Sequence, residues 1–310
     1  MLARPMDVLS QFPVRKSKKQ KAAFRAAVQS YLEGLDYQVT EEKGSYGSRN
    51  VIIGDPEKAK YLVTAHYDTP ARLPFPNFNT PCSFLPFLGF QIVVTALMLL
   101  PMFAVCAVVA FVTMDTELAV AVSYLVLWLV LMLMLIGPAN PNNANDNTSG
   151  VVTVLEIART LPENQRHKVC FVLFDLEEAG LIGSGSYYKK HKKAARNQLV
   201  LNLDCVGDGD TLLMFPTKTL KKDRKKLTSL YKACGYFGKK SLTVHEKGFS
   251  YYPSDQRHFP YGVGICALNK KKKTLYLSRI HTPKDTVLDE SNVNILRAAI
   301  SSFITCDAAQ

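Results

Sequence analysis

Five short segments of the sequence carry side chains that can bind metal ions or transfer protons. They read TAHYDTP (64–70), NDNTSG (145–150), DLEEAG (175–180), NLDCVGD (202–208) and IHTPKDT (280–286). None is informative alone, because a His-x-Asp pair or two adjacent glutamates are common on protein surfaces. Together they supply two imidazoles and at least three carboxylates. This set of nitrogen and oxygen ligands suits a pair of divalent cations, zinc first.

The elements that must position these side chains follow from the hydrophobic pattern. It predicts helices over 18–36 and 148–161, and strands over 51–53, 60–66, 169–174, 199–203 and 263–268. Strands that alternate with helices predict an α/β fold of three αβα layers with a mostly parallel central sheet. The carboxyl ends of parallel strands meet at one edge of a sheet, where binding sites collect. His66, Glu177 and Asp204 each lie at or just after such an end.

The order of these motifs resembles that of the two-zinc exopeptidases grouped with bacterial leucyl aminopeptidase. Glutamate carboxypeptidase and glutaminyl cyclase are more distant relatives of the same pattern. The resemblance covers most of residues 18–83 and 138–305, and the ordered set is far more specific than any single motif. It implies a zinc-dependent peptidase, most simply an aminopeptidase that removes N-terminal residues from peptides, with two zinc ions. Cobalt or manganese in place of zinc stays open.

The resemblance also implies a role for each residue. His66 and Asp204 would hold one zinc, Glu178 and His281 the other, and Asp146 would bridge them. Asp68 would orient the His66 imidazole, and Glu177 would act as general base on a metal-activated water. Tyr251, with Tyr252 as the alternative, would donate to the oxyanion. Gln256 and Cys266 stand where the family often has His and Pro, so the resemblance does not assign a substrate pocket to this chain.

Residues 84–137 interrupt this pattern with two apolar segments. Residues 84–114 carry no charge, and 118–137 form a second uncharged run after Asp115 and Glu117. Twenty helical residues span about 30 Å, the thickness of a bilayer core. The sequence therefore predicts a discontinuous catalytic domain, 1–83 and 138–310, interrupted by a two-helix transmembrane hairpin over 84–137. A buried hairpin or an apolar lid is the alternative.

Composition bears on compartment and partners. The chain has a net charge of +12, and because 84–137 carries only two acids the remainder carries +14. Seven cysteines without CxxC spacing indicate free thiols in a reducing compartment. The first residues lack a signal-peptide core, which favours a cytoplasmic catalytic domain in a multi-pass membrane protein with two spans. Peptides and the bilayer are the expected partners. Lysine runs without a recognition motif do not predict nucleic-acid binding.

Two other functions remain open at this stage. A single-zinc acyltransferase of the glutaminyl-cyclase kind is one of them. Such an enzyme would not need the second metal site that His66 and Asp68 complete, and this disfavours it. A catalytically inactive membrane scaffold on the same fold would not need Glu177. Zinc content of about two, one or none per chain distinguishes the three.

Overall fold

Three apolar runs of five or six residues form the buried centre of a large sheet. A computed structural model describes residues 2–73 and 75–306. Within them the strands are β1 Val39–Lys43, β2 Arg49–Ile53, β3 Tyr61–His66, β4 Val169–Phe174, β5 Leu199–Leu203, β6 Thr211–Pro216, β7 Gly235–Phe237, β8 Lys240–Val244, β9 Gly262–Lys271 and β10 Thr274–Tyr276. Every residue of β3, β4 and β5 is buried, as expected of strands covered on both faces.

The sheet is parallel at its centre and mostly antiparallel at its flanks. Its order is β1-β2-β4-β3-β5-β9-β6-β8-β7, and β10 pairs with β9. Strands β4, β3, β5 and β9 run parallel to one another, whereas β2 joins β4 and β6 joins β9 in the antiparallel sense. The predicted α/β sheet is confirmed. Strands β1, β6, β7, β8 and β10 at the flanks were not foreseen, and of their pairings the one between β6 and β8 is parallel.

Helices other than α3 and α4 cover both faces of this sheet. The helices in the described residues are α1 Val8–Gln11, α2 Lys18–Glu33, α3 Phe84–Thr113, α4 Thr116–Ile136, α5 Gly150–Thr160, α6 Glu163–Arg166, α7 Ile182–Lys190, α8 Lys192–Ala195, α9 Lys218–Lys222, α10 Arg224–Leu230 and α11 Glu290–Cys306. Alternate strand residues pack in opposite directions. Val63 joins a core with α2, α5 and α11, and its neighbour Leu62 joins a second core with Tyr187 of α7. With one core on each face of the sheet, the fold has the three αβα layers that the sequence predicts.

Helices α3 and α4 form an antiparallel hairpin that the rest of the chain leaves uncovered. Asp115 begins α4 by accepting a hydrogen bond from the Leu118 amide at 2.9 Å. No residue of α3 is buried, and of α4 only Ala119 and Ser123 are. Both helices have a mean hydropathy of 2.7 over an 18-residue window. The alternative of a hairpin buried inside the domain is therefore wrong.

Candidate metal centre

The strand ends bring the candidate ligands to one edge of the sheet. His66 is the last residue of β3, Asp204 follows β5 directly, and Glu177 and Glu178 lie just beyond the end of β4. Because β4, β3 and β5 are neighbours and parallel, these ends are adjacent. Asp146 lies in the irregular turn Ala144–Ser149 before α5, and His281 lies in the loop between β10 and α11.

Asp146 lies between the two imidazoles. Its Oδ1 is 3.3 Å from His66 Nε2, and its Oδ2 is 3.0 Å from His281 Nε2. Asp204 Oδ1 lies 3.6 Å from His66 Nε2, and Glu178 Oε2 lies 3.5 Å from His281 Nε2. The five side chains thus form two groups of one imidazole and one carboxylate each, and they share Asp146.

The donor set fits zinc. Ligand atoms of His66, Asp146 and Glu178 lie within 4.8 Å of one another, as do those of His66, Glu177 and Asp204. Among the described residues, the buried atoms Glu178 Oε1 and Asp204 Oδ1 have no hydrogen-bond partner. Unpartnered buried oxygens next to imidazole nitrogens are what a metal ion would satisfy.

The pKa shifts within the cluster also favour a bound cation. Burial raises the pKa of the Glu178 carboxyl to about 8 and holds the pKa of Glu177 well above its usual range. Burial would also raise the pKa of Asp146, but hydrogen bonds with His281 and His66 lower it overall. Burial alone would lower the pKa of His281, but the charges of Glu178 and Asp146 raise it to about 9. Buried carboxylates in excess need protons or cations beside them.

Asp68 connects β3 to the segment that carries both glutamates. Its Oδ1 accepts a hydrogen bond from the Glu177 amide at 3.0 Å, and its Oδ2 accepts one from the Glu178 amide at 3.3 Å. The same Oδ1 is 3.5 Å from His66 Nδ1. The expected contact with the imidazole is long, and the two amide contacts were not foreseen. Asp68 therefore positions the main chain of Glu177 and Glu178.

The tyrosine that reaches the cluster is Tyr252, so the preference for Tyr251 does not match the structure. The Tyr252 hydroxyl donates to the Asp204 main-chain carbonyl at 2.9 Å. Tyr251 is 44% exposed, and its ring packs against Phe87 of α3 with centroids 4.9 Å apart. Adjacent residues of an extended segment point in opposite directions, so only one of the two can face the ligands.

Three residues that support the site had no assigned role in the sequence. Asp285 fixes the turn with Asp146, since its carboxylate accepts from the amides of Asn145 at 2.7 Å and Asp146 at 3.0 Å. Asp255 is fully buried, and burial raises the pKa of its carboxyl to about 7 against the attraction of His66. Asp285 lies in the quoted motif IHTPKDT, so that signal was present, whereas Asp255 lies outside the five quoted motifs.

The third supporting residue is Arg15, whose side chain is fully buried. Its guanidinium donates to the Tyr67 carbonyl at 2.5 Å, the Phe12 carbonyl at 2.7 Å, Thr148 Oγ1 at 3.1 Å and Asn143 Oδ1 at 3.2 Å. Burial lowers the pKa of Arg15 to about 10, although the charges of Asp68 and Asp146 oppose this. No sequence signal distinguishes it from the other basic residues around it.

A cleft of about 740 Å³ opens between the end of β6 and residues 248–260. Tyr252 and Gln256 line it, and each is joined to β5, Tyr252 through Asp204 and Gln256 through Asn202 Nδ2 at 3.1 Å. Its lining also includes Tyr251, Lys218 and Arg257, and none of its lining residues among the described ones is acidic. None of the candidate metal ligands lines the cleft, and Pro216, Phe259 and Pro260 place much of it at the amino end of β9, away from the edge of the sheet where the ligands lie.

Comparisons with known proteins agree on the fold. A model of peptidase family M28 matches residues 132–303. Aminopeptidase YwaD of Bacillus subtilis (strain 168) is 41% identical over 73 residues, which are 23% of this chain and 16% of that protein. The chain thus matches only a small part of the length of this curated relative.

Solved structures with low sequence identity share the architecture. The LapA aminopeptidase of Legionella pneumophila has a TM-score of 0.59 at 16% identity, over 99% of this chain and 72% of that one. A glutaminyl cyclase of Porphyromonas gingivalis has a TM-score of 0.55 at 16% identity, over 96% of this chain and 93% of that one. At these identities the likeness establishes the fold alone.

Proposed function

Because this chain belongs to peptidase family M28, we propose that it is a zinc-dependent aminopeptidase that hydrolyses the first peptide bond of its substrates. The observation that carries the proposal is Asp146, whose two carboxylate oxygens face two different imidazoles at 3.3 and 3.0 Å. A carboxylate placed in this way suits a bridge between two ions, and a site for one ion would not require it. His66 with Asp204, and His281 with Glu178, would complete the two ligand groups.

Each residue then has a defined task. When bound, the ions would polarise the scissile carbonyl and acidify a water molecule. Glu177 would accept a proton from that water and pass it to the departing amine, and burial raises the pKa of its carboxyl above the usual range. Asp68 holds the main chain of Glu177 in place. Tyr252 replaces Tyr251 as the candidate donor to the oxyanion, and its hydroxyl would exchange its hydrogen bond with the Asp204 carbonyl for one to the oxyanion.

Hydrolysis of matched peptides tests this proposal. We expect the purified chain to release the first residue of a peptide with a free N terminus and to leave the N-acetylated form of the same peptide intact. A chelator should abolish the reaction, and added zinc should restore it. Cleavage of the acetylated peptide at an internal bond would contradict the aminopeptidase assignment.

A glutaminyl-cyclase-like activity is the second candidate, and the structural likeness to the Porphyromonas enzyme favours testing it. That reaction would convert an N-terminal glutamine to pyroglutamate with release of ammonia. Incubation of a Gln-initiated peptide and mass spectrometry separate the two activities, because cyclisation removes 17 Da and hydrolysis removes a whole residue. If neither change occurs with metal present, the chain is an inactive scaffold.

We also propose that α3 and α4 span a lipid bilayer and anchor a catalytic domain formed by residues 1–83 and 138–310. The 21 residues of α4 extend about 31 Å at 1.5 Å per residue, which matches a bilayer core. Apolar side chains are exposed on both helices along their whole length, from Leu85 to Ile136. In water such a surface would be a severe aggregation risk. Lipid is the occupant that its length and uniform apolar character favour over a second copy.

The charges at the two ends of the hairpin favour a cytoplasmic catalytic domain. Lys16 and Arg72 lie at its base, where the Lys16 ammonium is 3.4 Å from the Leu135 carbonyl and the Arg72 amide is 2.8 Å from the Pro138 carbonyl. The tip carries Asp115 and Glu117 and no basic residue. Basic residues concentrate on the cytoplasmic side of membrane proteins.

Cysteine labelling tests the orientation. An impermeant maleimide should label a Met114→Cys variant at the tip in intact cells, since Met114 is 82% exposed. The exposed Cys306 of the catalytic domain should react only after permeabilisation. The reverse pattern would contradict the orientation. Release of the chain by salt without detergent, as a dimer in solution, would contradict the membrane proposal itself.

A further inference from the structure

The base of the hairpin is joined directly to the loop of a candidate metal ligand. Arg72 N donates to the Pro138 carbonyl at 2.8 Å, and the next residue, Leu73, donates to the His281 carbonyl at 3.0 Å. Pro138 lies two residues after the end of α4 at Ile136. Since each residue spans at most about 3.6 Å, the main chain of His281 lies within roughly 20 Å of the end of α4. An isolated bridge between Ala71 and Ala139 reinforces the same junction.

Lys16 forms a second link between the hairpin and the site. Its ammonium donates to the Leu135 carbonyl in the last turn of α4 at 3.4 Å. Burial lowers the pKa of Lys16, and the charges of Glu178 and Asp68 oppose that shift. One side chain therefore touches the end of a proposed membrane span and lies within electrostatic range of two residues of the metal centre.

The first turns of α3 contact the segment that carries Tyr252. The rings of Phe84 and Phe87 each lie 5.4 Å from that of Phe249, and Phe87 lies 4.9 Å from Tyr251. The next residue, Tyr252, donates its hydroxyl hydrogen bond to the Asp204 carbonyl at 2.9 Å. The segment that contacts the hairpin is thus also joined to a candidate metal ligand.

We infer that the site acts on peptides that are themselves bound to the membrane surface, with free N termini that emerge a few residues from the lipid. This inference rests on the proposed aminopeptidase function. Three contacts hold the site near the base of the hairpin: the Leu73–His281 pairing, Lys16 on Leu135, and Tyr251 on Phe87. A peptide held on the same surface meets the metal site at a raised effective concentration, whereas a peptide in bulk solution does not.

The length of the linker between lipid and the N terminus decides whether an anchored peptide reaches the site. A flexible linker of n residues has a root-mean-square length of about 5–6 Å multiplied by the square root of n. Eight residues therefore average about 16 Å and extend to at most about 28 Å, which suffices for a site some 20 Å from lipid. A site lifted well above the surface is within reach of a linker of 30 residues but not of one of eight.

The experiment uses the full chain reconstituted in zwitterionic phosphatidylcholine vesicles, so that the basic domain is not drawn down by anionic lipid. The substrates share one free N-terminal sequence and are either soluble or carry a C-terminal two-chain lipid anchor after linkers of eight or 30 residues. The comparison variant inserts rigid helical spacers of equal length between Ser83 and Phe84 and between Gly137 and Pro138, which lifts the domain while the hairpin stays in place.

The expected result is a kcat/KM at least about tenfold higher for both anchored peptides than for the soluble peptide in the native chain. The lifted variant should keep the native rate on the soluble peptide and the advantage for the 30-residue linker, but lose the advantage for the eight-residue linker. Equal rates on anchored and soluble peptides, or an unchanged short-linker advantage in the lifted variant, would overturn the inference alone. Failure of the native chain to cleave the soluble peptide would instead reject the aminopeptidase function, and this inference with it.

Discussion

The two adjacent glutamates have different predicted tasks. Glu178 Oε2 lies 3.5 Å from His281 Nε2, and Glu177 lies with His66 and Asp204 in a group that could itself hold a metal ion. Asp68 holds both through their amides. The resemblance of the ordered motifs implies that Glu178 is the ligand and Glu177 the general base, and this division stays a prediction. The choice between Tyr251 and Tyr252 could not be predicted, because it depends on a contact with Phe87, which belongs to the hairpin.

The division predicts different outcomes for the same substitution at the two positions. Glu177→Gln should keep zinc near the native level and lower kcat by about 10²–10⁴-fold, because an amide cannot accept the proton of the attacking water. Glu178→Gln should lose metal. Elemental analysis of each purified variant and its rate on a free-N-terminal peptide decide the matter. Zinc loss in the Glu177 variant with retention in the Glu178 variant would reverse the assignment.

Arg15 is predicted to contribute more to stability than any exposed arginine. Its removal in Arg15→Ala would leave the Tyr67 and Phe12 carbonyls and two side-chain oxygens without their donor. Because such buried acceptors cost about 1–3 kcal/mol each and partly relax, we expect the free energy of unfolding to fall by about 3–5 kcal/mol.

Urea denaturation of the detergent-solubilised chain measures this difference. Arg4→Ala is the matched control, since the Arg4 side chain is 77% exposed and pairs with Asp7 at the surface, and its effect should stay within about 0.5 kcal/mol. Equal losses in the two variants would show that the buried guanidinium has no special role.

The elements nearest the site were the most predictable. Strands β3, β4 and β5 are continuous apolar runs buried on both faces, so composition alone identifies them. Strands β1 and β8 read VTEEK and KSLTV, which are polar sequences of flanking strands and do not differ from loops by pattern. Their existence depends on pairing with neighbours, and a single sequence does not contain that information.

If α3 spans lipid, its membrane insertion should be sensitive to an added charge. Phe103 lies in the middle of α3 and is 59% exposed, so Phe103→Arg would place a charge where the bilayer centre is proposed. Such a residue costs about 2.5–3.5 kcal/mol on insertion scales. We expect a smaller fraction of the chain to resist alkaline carbonate extraction.

Met114→Asp at the exposed tip is the control for this substitution, because it adds a charge next to Asp115 in the polar turn. Its membrane fraction should equal that of the native chain. If Phe103→Arg is equally tolerated, α3 does not cross lipid, and the hairpin is better interpreted as an apolar lid.

At the scale of the whole molecule, the chain joins a basic part to an apolar one. The basic αβα part, with a net charge of +14, carries the candidate metal ligands, and an apolar hairpin leaves it between His66 and Asp146. The ordered motifs predicted the family, which the match over 132–303 confirms. The closeness of hairpin and site could not be predicted beyond a loose bound from chain length, because it depends on the pairing of Leu73 with His281 and on Lys16, which are far apart in sequence.

The central claim is that Asp146 joins two metal ions in one site, and titration of the metal-free chain with zinc tests it most directly. Peptide hydrolysis should rise with added zinc and reach its plateau at about two equivalents per chain, with two ions per chain by elemental analysis. Asp146→Ala should retain close to none, because both ligand groups lose the carboxylate they share. A plateau at one equivalent, or an Asp146→Ala chain that still holds one ion and hydrolyses the peptide, would contradict the account.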